Sequence, residues 1–361
     1  MRFAFSEDQL LIQQTLAEML EKECSHEAVE AAAKSASGRV PGLWQQLVAM
    51  GIPAVALPEA QGGLGGDELD LVLLLQEAGR RALPEPLAET AAVAAPLLRE
   101  LGGELAAEWL PRIAEGAVVV VGLASEPFVG FADGAELLIL ERGGELFALA
   151  PSAVKCEAQR SVDDARRIAR VEWSASPAAR IASGERAAAL AAAAFERSAL
   201  AAAAQLVGLG RYMVDLTVAY AKGREQFGQA IGAFQAVKHQ IASAHLKLEF
   251  ARAIVQHAAY TLAKGWDSRQ LDVSTAKALA GDAAHLCGRA ALQCHGAIGY
   301  TYEYHLHLWL KRAWALEKAF GDAPWHRRRA AALLLDGRAP SEAAPQAPAR
   351  DPARLRGRRA P

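Results

Sequence analysis

Apolar side chains recur every three to four positions through most of the chain. Only in its middle do they bunch into short β-prone runs. Ile12, Leu16, Met19 and Leu20 share one helical face. Ahead of them Ser6 and Gln9 have the spacing of a capping box, with Phe5 placed as its hydrophobic staple. A second helix is predicted over residues 40–50, closed by Gly51 in the place of a left-handed cap. The short apolar run 52–57 leads into the glycine loop PEAQGGLGG. Asp67 then caps LDLVLLLQEAGRRA, which Pro84 and Pro86 stop. A further helical pair is predicted over 87–115, with Gly116 as its end.

Near Val118 the character changes. VVVVGLA, AELLILER, ELFALAPS and RIARVEW are β-prone runs punctuated by glycine and proline. This block closes at 183–184 and is short for a sheet domain with its own core. Helical patterns then return over 185–222, 234–264, 273–294 and 303–319, with a last short one over 322–335. Runs such as Ala187–Ala189 and Ala201–Ala204 favour helix, alanine having the highest propensity. Long helices in series predict an antiparallel bundle. The expected fold is mainly α with a small β domain. Its parts are an N-terminal helical domain (1–116), a shortened β domain (117–183), a C-terminal four-helix bundle (184–336) and a tail (337–361). The tail is rich in Pro, Ala and Arg and is expected to be disordered.

Composition narrows the function classes. Apolar residues at 52% and charged residues at 22% suit an ordinary globular protein. A net charge of −2 gives no reason to expect nucleic acid or an anionic membrane as partner. No charge-free apolar run reaches the ~18 residues of a membrane span. The start, MRFAFSEDQLL, lacks the pattern of a signal peptide, so a cytoplasmic location is expected. Cys24, Cys156, Cys287 and Cys294 are scattered, without metal-ligand spacing. His305 and His307, two apart on a predicted helix, diverge by about 200° and make poor co-ligands. No metal site is expected.

Two segments carry candidate chemistry. In REQFGQAIGAFQAVKH, residues 224–239, Arg224 has the fork that grips phosphate oxygens. Phe227 offers an aromatic face to a planar ring, and Gln235 opens a helix whose free N–H groups favour anions or carbonyls. On chemistry alone a loop with a salt-bridged surface arginine remains open. In QCHGAIG, Gly296 and Gly299 allow close approach of backbone to a ligand, or simply cap a helix. His295 has no acid or nucleophile paired with it in sequence and reads as structural. Tyr300, Tyr302, Tyr304 and Trp309 read as packing or interface residues. The glycine loop lacks the lysine and hydroxyl of a P-loop and reads as a turn shaping a substrate mouth.

Taken in order, these segments resemble the acyl-CoA dehydrogenase flavoproteins over residues 1–335. FSEDQLLIQQTLAEMLEKEC resembles the family's first helix, and GIPAVALPEAQGGLGGDELDLVLLLQEAGR its glycine loop and following helix. REQFGQAIGAFQAVKH and QCHGAIGYTYEYHLHLWLKR resemble its two flavin signatures. The resemblance implies helical domains flanking a small β domain, FAD held across a subunit interface, and an acyl-CoA substrate. It also implies an electron-transfer flavoprotein or similar acceptor. By position it assigns Arg224 and Gln235 to the pyrophosphate and adenine end of a neighbouring subunit's FAD, and Phe227 and Ile231 to the lining of that site. Gln293, Gly296 and Ala297 fall in the second signature, Ala297 where glycine is usual.

The chain departs from the family at the base. The reaction removes an α-proton with a carboxylate while a hydride leaves the β-carbon for the flavin. The family's Glu-Gly pair falls on Phe320–Gly321, and a second family location falls on Ser198. Glu196 lies about 200° around the helix from it. Asp322 is one candidate, though it also fits the N-cap of the final helix. Glu317 reads as a surface residue. Of the family's T-E-P-x-x-G-S-D wall only Ser125–Glu126–Pro127 survives. With FGDAPWHRRR this resembles the short partner subunits of two-gene acyl-CoA dehydrogenases, which form dimers or tetramers with a base-carrying chain, often for bulky substrates such as steroid side chains. Two alternatives stay open: a self-sufficient homotetramer using Asp322, and a non-redox acyl-CoA-binding scaffold.

Overall fold

A computed structural model describes residues 4–336, so the tail expected to be disordered lies outside the described residues. Helix α1 (Glu7–Glu23) starts at the predicted capping box, where Ser6 and Gln9 exchange hydrogen bonds of 2.9 and 3.2 Å. Helix α2 (His26–Lys34) is absent from the sequence expectations; its nine residues bury only Val29 and Ala32, too few for a periodic signal. Helix α3 (Leu43–Ala49) ends before Gly51, which adopts the left-handed φ of 72°. Asp67 caps α4 (Glu68–Arg80). A π-helical segment, Ala88–Ala94, then runs into α5 (Ala95–Leu101), followed by α6 (Gly103–Ala114).

Seven short strands follow: β1 (Val119–Gly122), β2 (Val129–Gly130), β3 (Leu137–Arg142), β4 (Glu145–Leu149), β5 (Val154–Ala158), β6 (Ile168–Trp173) and β7 (Arg180–Ala182). They form two sheets, β1-β3-β4-β7 and β2-β6-β5. Strand β1 runs parallel to β3, with Val119 opposite Leu137, and the other pairings are antiparallel. Strands β2, β5 and β7 escape the sequence pattern. The first and last have two and three residues, and β5 is mostly exposed, with only Val154 and Cys156 half-buried against the core.

The C-terminal half is built on α7 (Gly184–Gly223), a 40-residue helix. A two-stranded ribbon, β8 (Glu225–Gln226) and β9 (Gln229–Ala230), leads to α8 (Gln235–Ala263) and α9 (Arg269–His295). Helices α10 (Leu306–Lys318) and α11 (Ala323–Asp336) pack against α7 and α9 respectively. By composition α7 is apolar enough to cross a bilayer, but 72% of its most apolar window is buried in the protein, as befits a core helix. Its alanines let neighbours approach closely. Where α4 crosses α7, a Cβ on Gly208 would lie 1.9 Å from the Gln76 carbonyl oxygen, so only glycine lets the two backbones touch. Buried ion pairs fix the same helix: Arg197 binds Glu68 and Glu100, and Glu196 binds Arg329.

Candidate functional site

The two signature segments meet at one end of the bundle. Helix α7 closes with the Arg224 N–H donating to the Tyr220 carbonyl at 2.8 Å. The Tyr220 ring stacks on His295 at 4.3 Å between centroids, which brings the end of α9 beside the end of α7. Cys294 on α9 in turn lies within 3.9 Å of Gln240 on α8. The ribbon is closed by the Ile231 N–H donating to the Arg224 carbonyl at 2.8 Å, and Phe227 and Gly228 turn its corner with φ of 54° and 79°.

Exposure is the property these residues share. Arg224, Gln235, Gln293, Gly296 and Ala297 are exposed, Ile231 is half-buried, and the Phe227 ring is 92% exposed. The Phe227 ring, held in a left-handed turn, meets Phe234 edge-on at 6.2 Å between centroids and otherwise faces solvent. Helix α8 begins at Gln235 with no side-chain cap; the Val237 and Lys238 N–H groups donate to the Phe234 carbonyl, and those of Gln235 and Ala236 have no partner among the described residues. A guanidinium, an aromatic face and an uncapped helix start lie along this short stretch, groups whose chemistry suits a phosphate-bearing cofactor. Tyr300 and Tyr302 extend the exposed patch.

His295 is structural. Its Nδ1 donates to the Ala291 carbonyl at 2.7 Å, its Nε2 meets the Tyr304 hydroxyl at 3.2 Å, and burial pushes its pKa down. Trp309 packs flat on Tyr212, 3.9 Å between centroids. His305 contacts Tyr212, while His307 faces Tyr302, and no group able to hold a metal occurs among the described residues. The glycine loop is a turn, as expected: it folds back on its own backbone, Gly65 and Gly66 donating to Leu57 and Val55, and it lines neither of the two main cavities.

Where the resemblance puts the family base, Phe320 and Gly321 both take left-handed φ values, 55° and 89°. Their loop is held from below. Lys277, fully buried, donates to the Glu317 and Gly321 carbonyls at 3.1 and 2.9 Å, and His326 Nε2 donates to the Phe320 carbonyl at 2.8 Å. Burial pushes His326 down to about 3, so its ring is neutral. Phe320 faces a cavity of about 50 Å³, room for a few waters against the ~300–1,000 Å³ of a typical ligand pocket. Ser198 lines this cavity too, but its hydroxyl donates to the Ala194 carbonyl at 2.8 Å. Three charged residues that the sequence reading did not single out as functional complete the lining: Glu89, Glu126 and Arg166. Burial raises both carboxyls, the nearby Phe320 N–H pulling that of Glu126 part of the way back. Glu126 was within reach of sequence through the surviving Ser-Glu-Pro. Glu89, an acid inside an apolar run, gave a fainter signal, and Arg166 in DDARR gave none.

Asp322 is the N-cap of α11, accepting the Trp325 N–H at 3.0 Å, and it lines neither main cavity. Partial burial pushes its carboxyl up, but the Trp325 N–H and the Lys318 ammonium together outweigh it and hold the carboxyl below its ordinary range. A carboxyl depressed in the folded state stabilises above its unfolded pKa, and the gain is lost as pH falls through the folded value. Asp322→Ala is expected to cost about 1 kcal/mol at neutral pH, with the difference from wild type closing in acid. Thermal unfolding at several pH values measures this, and a gap that widens in acid contradicts it.

Known proteins resemble the chain over most of its length. A model of the acyl-CoA dehydrogenase N-terminal domain matches residues 6–117, and one of the C-terminal domain matches residues 187–335. The chain is 33% identical to the acyl-CoA dehydrogenase IpdE2 of Mycolicibacterium smegmatis, over 90% of this chain and 98% of that protein. Among solved structures, the ChsE4-ChsE5 complex from Mycobacterium tuberculosis superposes with a TM-score of 0.84 at 24% identity, covering 92% of this chain and 99% of that one. The Tcur3481-Tcur3483 steroid ACAD superposes with a TM-score of 0.85 at 25% identity, covering 92% and 98%.

Proposed function

Since the chain belongs to the acyl-CoA dehydrogenase family, we propose that it works as the base-lacking subunit of a hetero-oligomeric enzyme that α,β-dehydrogenates an acyl-CoA thioester. Its partner is a related chain carrying the proton-accepting carboxylate. The observation that carries this is Phe320. Where the family places its base, an aromatic ring faces a cavity of about 50 Å³. The second family location, Ser198, spends its proton on its own helix. Nearby Glu196 is committed to Arg329.

FAD, when bound, supplies the acceptor for the β-hydride. This chain's part is to brace the cofactor of its partner's site. Arg224 neutralises pyrophosphate charge, the free N–H groups at the start of α8 and the Gln235 amide hold polar edges, and Phe227 and Ile231 exclude water. Gln293, Gly296 and Ala297 supply the adjoining backbone wall. The steroid ACAD likeness supports a bulky, ring-bearing acyl group as substrate, and an electron-transferring flavoprotein or similar carrier as oxidant follows from the family. A cytoplasmic setting fits this role, as do the four free cysteines.

Arg224→Ala tests the assignment. Losing charge-assisted bonds to phosphate should weaken flavin retention of the assembled enzyme by about tenfold to a hundredfold while assembly persists. Unchanged flavin content in dilute, gel-filtered complex contradicts it.

One observation favours a second reading. Glu126 is held beside the Phe320 N–H with its carboxyl raised, close to where a base belongs. Were it the base of a self-sufficient enzyme, Glu126→Gln would abolish turnover of the chain alone. The partner-subunit reading expects no turnover to lose there, and unchanged turnover of the complex. Asp322→Asn is expected to leave turnover of the complex unchanged as well.

A further inference from the structure

A second, larger cavity lies away from both signature segments, in a cleft between α1, α4, α7 and α8. Its volume is about 570 Å³, within the ~300–1,000 Å³ usual for small-molecule sites. Two buried donors line it without a partner among the described residues: Nε2 of Gln76 and Nε of Arg80. Gln76 is only 7% exposed. The two residues stand four apart on α4, so they share one helix face and one acceptor group can reach both. Buried donors left unpaired are rare in native proteins and call for a partner.

The acids at the cleft do not supply it. Glu77 already accepts from Gln13 at 2.8 Å, and Glu249 accepts from Arg252 at 2.9 Å and Arg211 at 3.4 Å. Asp215, behind the lining, accepts from the other end of Arg80 at 3.1 Å and from Arg211 at 3.2 Å. Three arginines, Arg80, Arg211 and Arg252, face the acids Glu77, Glu249 and the adjoining Asp215, so no excess positive charge is left. Such a balance disfavours a polyphosphate and leaves the unpaired donors, rather than excess charge, to hold an acceptor group. The rest of the lining is mixed: Gln13 and Gln256 are polar, while Phe5, Leu10, Leu73, Val207 and Leu248 give it an apolar part.

We propose that this cleft is a binding site for a small monocarboxylate with an apolar body, its carboxylate seated on Gln76 and Arg80 and its hydrocarbon part against Leu73, Val207 and Leu248. The site is separate from the base and flavin positions, so it stands whether or not the chain works as a partner subunit.

Calorimetric titration of the full chain with cyclohexanecarboxylate tests it, alongside cyclohexanecarboxamide and inorganic phosphate. One saturable site is expected for the carboxylate. The amide and phosphate should bind at least about tenfold more weakly, and Gln76→Leu should weaken the carboxylate by about tenfold. Leu10→Trp, on the half-exposed rim, provides a second variant that fills the cleft without touching its buried donors, and it should also lose binding. The proposal is overturned if wild type shows no saturable binding, if phosphate or the amide binds as well as the carboxylate, or if Leu10→Trp or a folded Gln76→Leu binds like wild type.

Discussion

Replacing Arg329 by alanine is expected to lower the unfolding free energy by about 3–5 kcal/mol, because it strands a buried carboxylate. Glu196 and Arg329 are both almost fully buried and joined by two hydrogen bonds, and Arg329 also reaches the Ser274 hydroxyl at 2.9 Å. Burial raises the Glu196 carboxyl and the guanidinium pulls it back. With Arg329 gone only burial remains, and Glu196 rises further. A carboxyl raised in the folded state contributes most below its unfolded pKa of about 4.3 and loses that contribution as pH rises through the folded value. The variant should therefore recover part of its loss in acid. Glu196→Leu combined with Arg329→Leu should be far less destabilised than Arg329→Ala, since no charge is left unpaired. Denaturant titration at two pH values gives both answers, and a single-variant loss below about 1 kcal/mol would show that the pair is not buried as described. The pair also bears on function: it removes from chemistry the carboxylate nearest in sequence to Ser198.

The second large effect concerns Lys277, whose ammonium is driven down to about 7 by burial, with Glu126 foremost among the acids opposing the fall. A lysine depressed in the folded state binds fewer protons there than in the unfolded chain, whose pKa is about 10.4. Stability should thus climb as pH rises from about 7 toward 10, by up to about 1.4 kcal/mol per pH unit. Lys277→Met removes that slope. At neutral pH it also leaves the Glu317 and Gly321 carbonyls without their donor, at about 1–3 kcal/mol each. Guanidinium unfolding of both proteins across this range isolates the group by difference. Parallel curves for the two proteins would contradict a nearly neutral Lys277. The same substitution frees the loop that carries Phe320, so its effect on the 50 Å³ cavity comes with the stability change.

The long helices were legible because alanine-rich sequence with a 3.6-residue period leaves few other ways to bury a face. Capping chemistry placed Ser6, Gly51 and Asp67 at their helix ends. What escaped is instructive about physical range. Helix α2 and strand β7 are too short for periodicity, and they exist because neighbours cover them. The meeting of the two signature segments depends on the stack of Tyr220 on His295, a contact between helix ends that no local pattern encodes. The cavity at Phe320 gathers Glu89 from a π-helical turn, Glu126 from a loop and Arg166 from the segment before β6, three residues whose proximity is purely tertiary. The proposed loss of the base, by contrast, is legible in the sequence as a change of residue type, Phe320 standing where the resemblance puts the carboxylate. The same holds for Ser198.

That loss is the centre of the account, and flavin content together with turnover measures it most directly. The chain should be purified alone and after co-expression with the related dehydrogenase chain that keeps an intact Glu-Gly pair. Alone it should be colourless and inactive toward acyl-CoA, and together the two should hold yellow flavin and reduce an electron acceptor. A solitary chain that retains stoichiometric flavin and dehydrogenates acyl-CoA at the rate of the pair would contradict it.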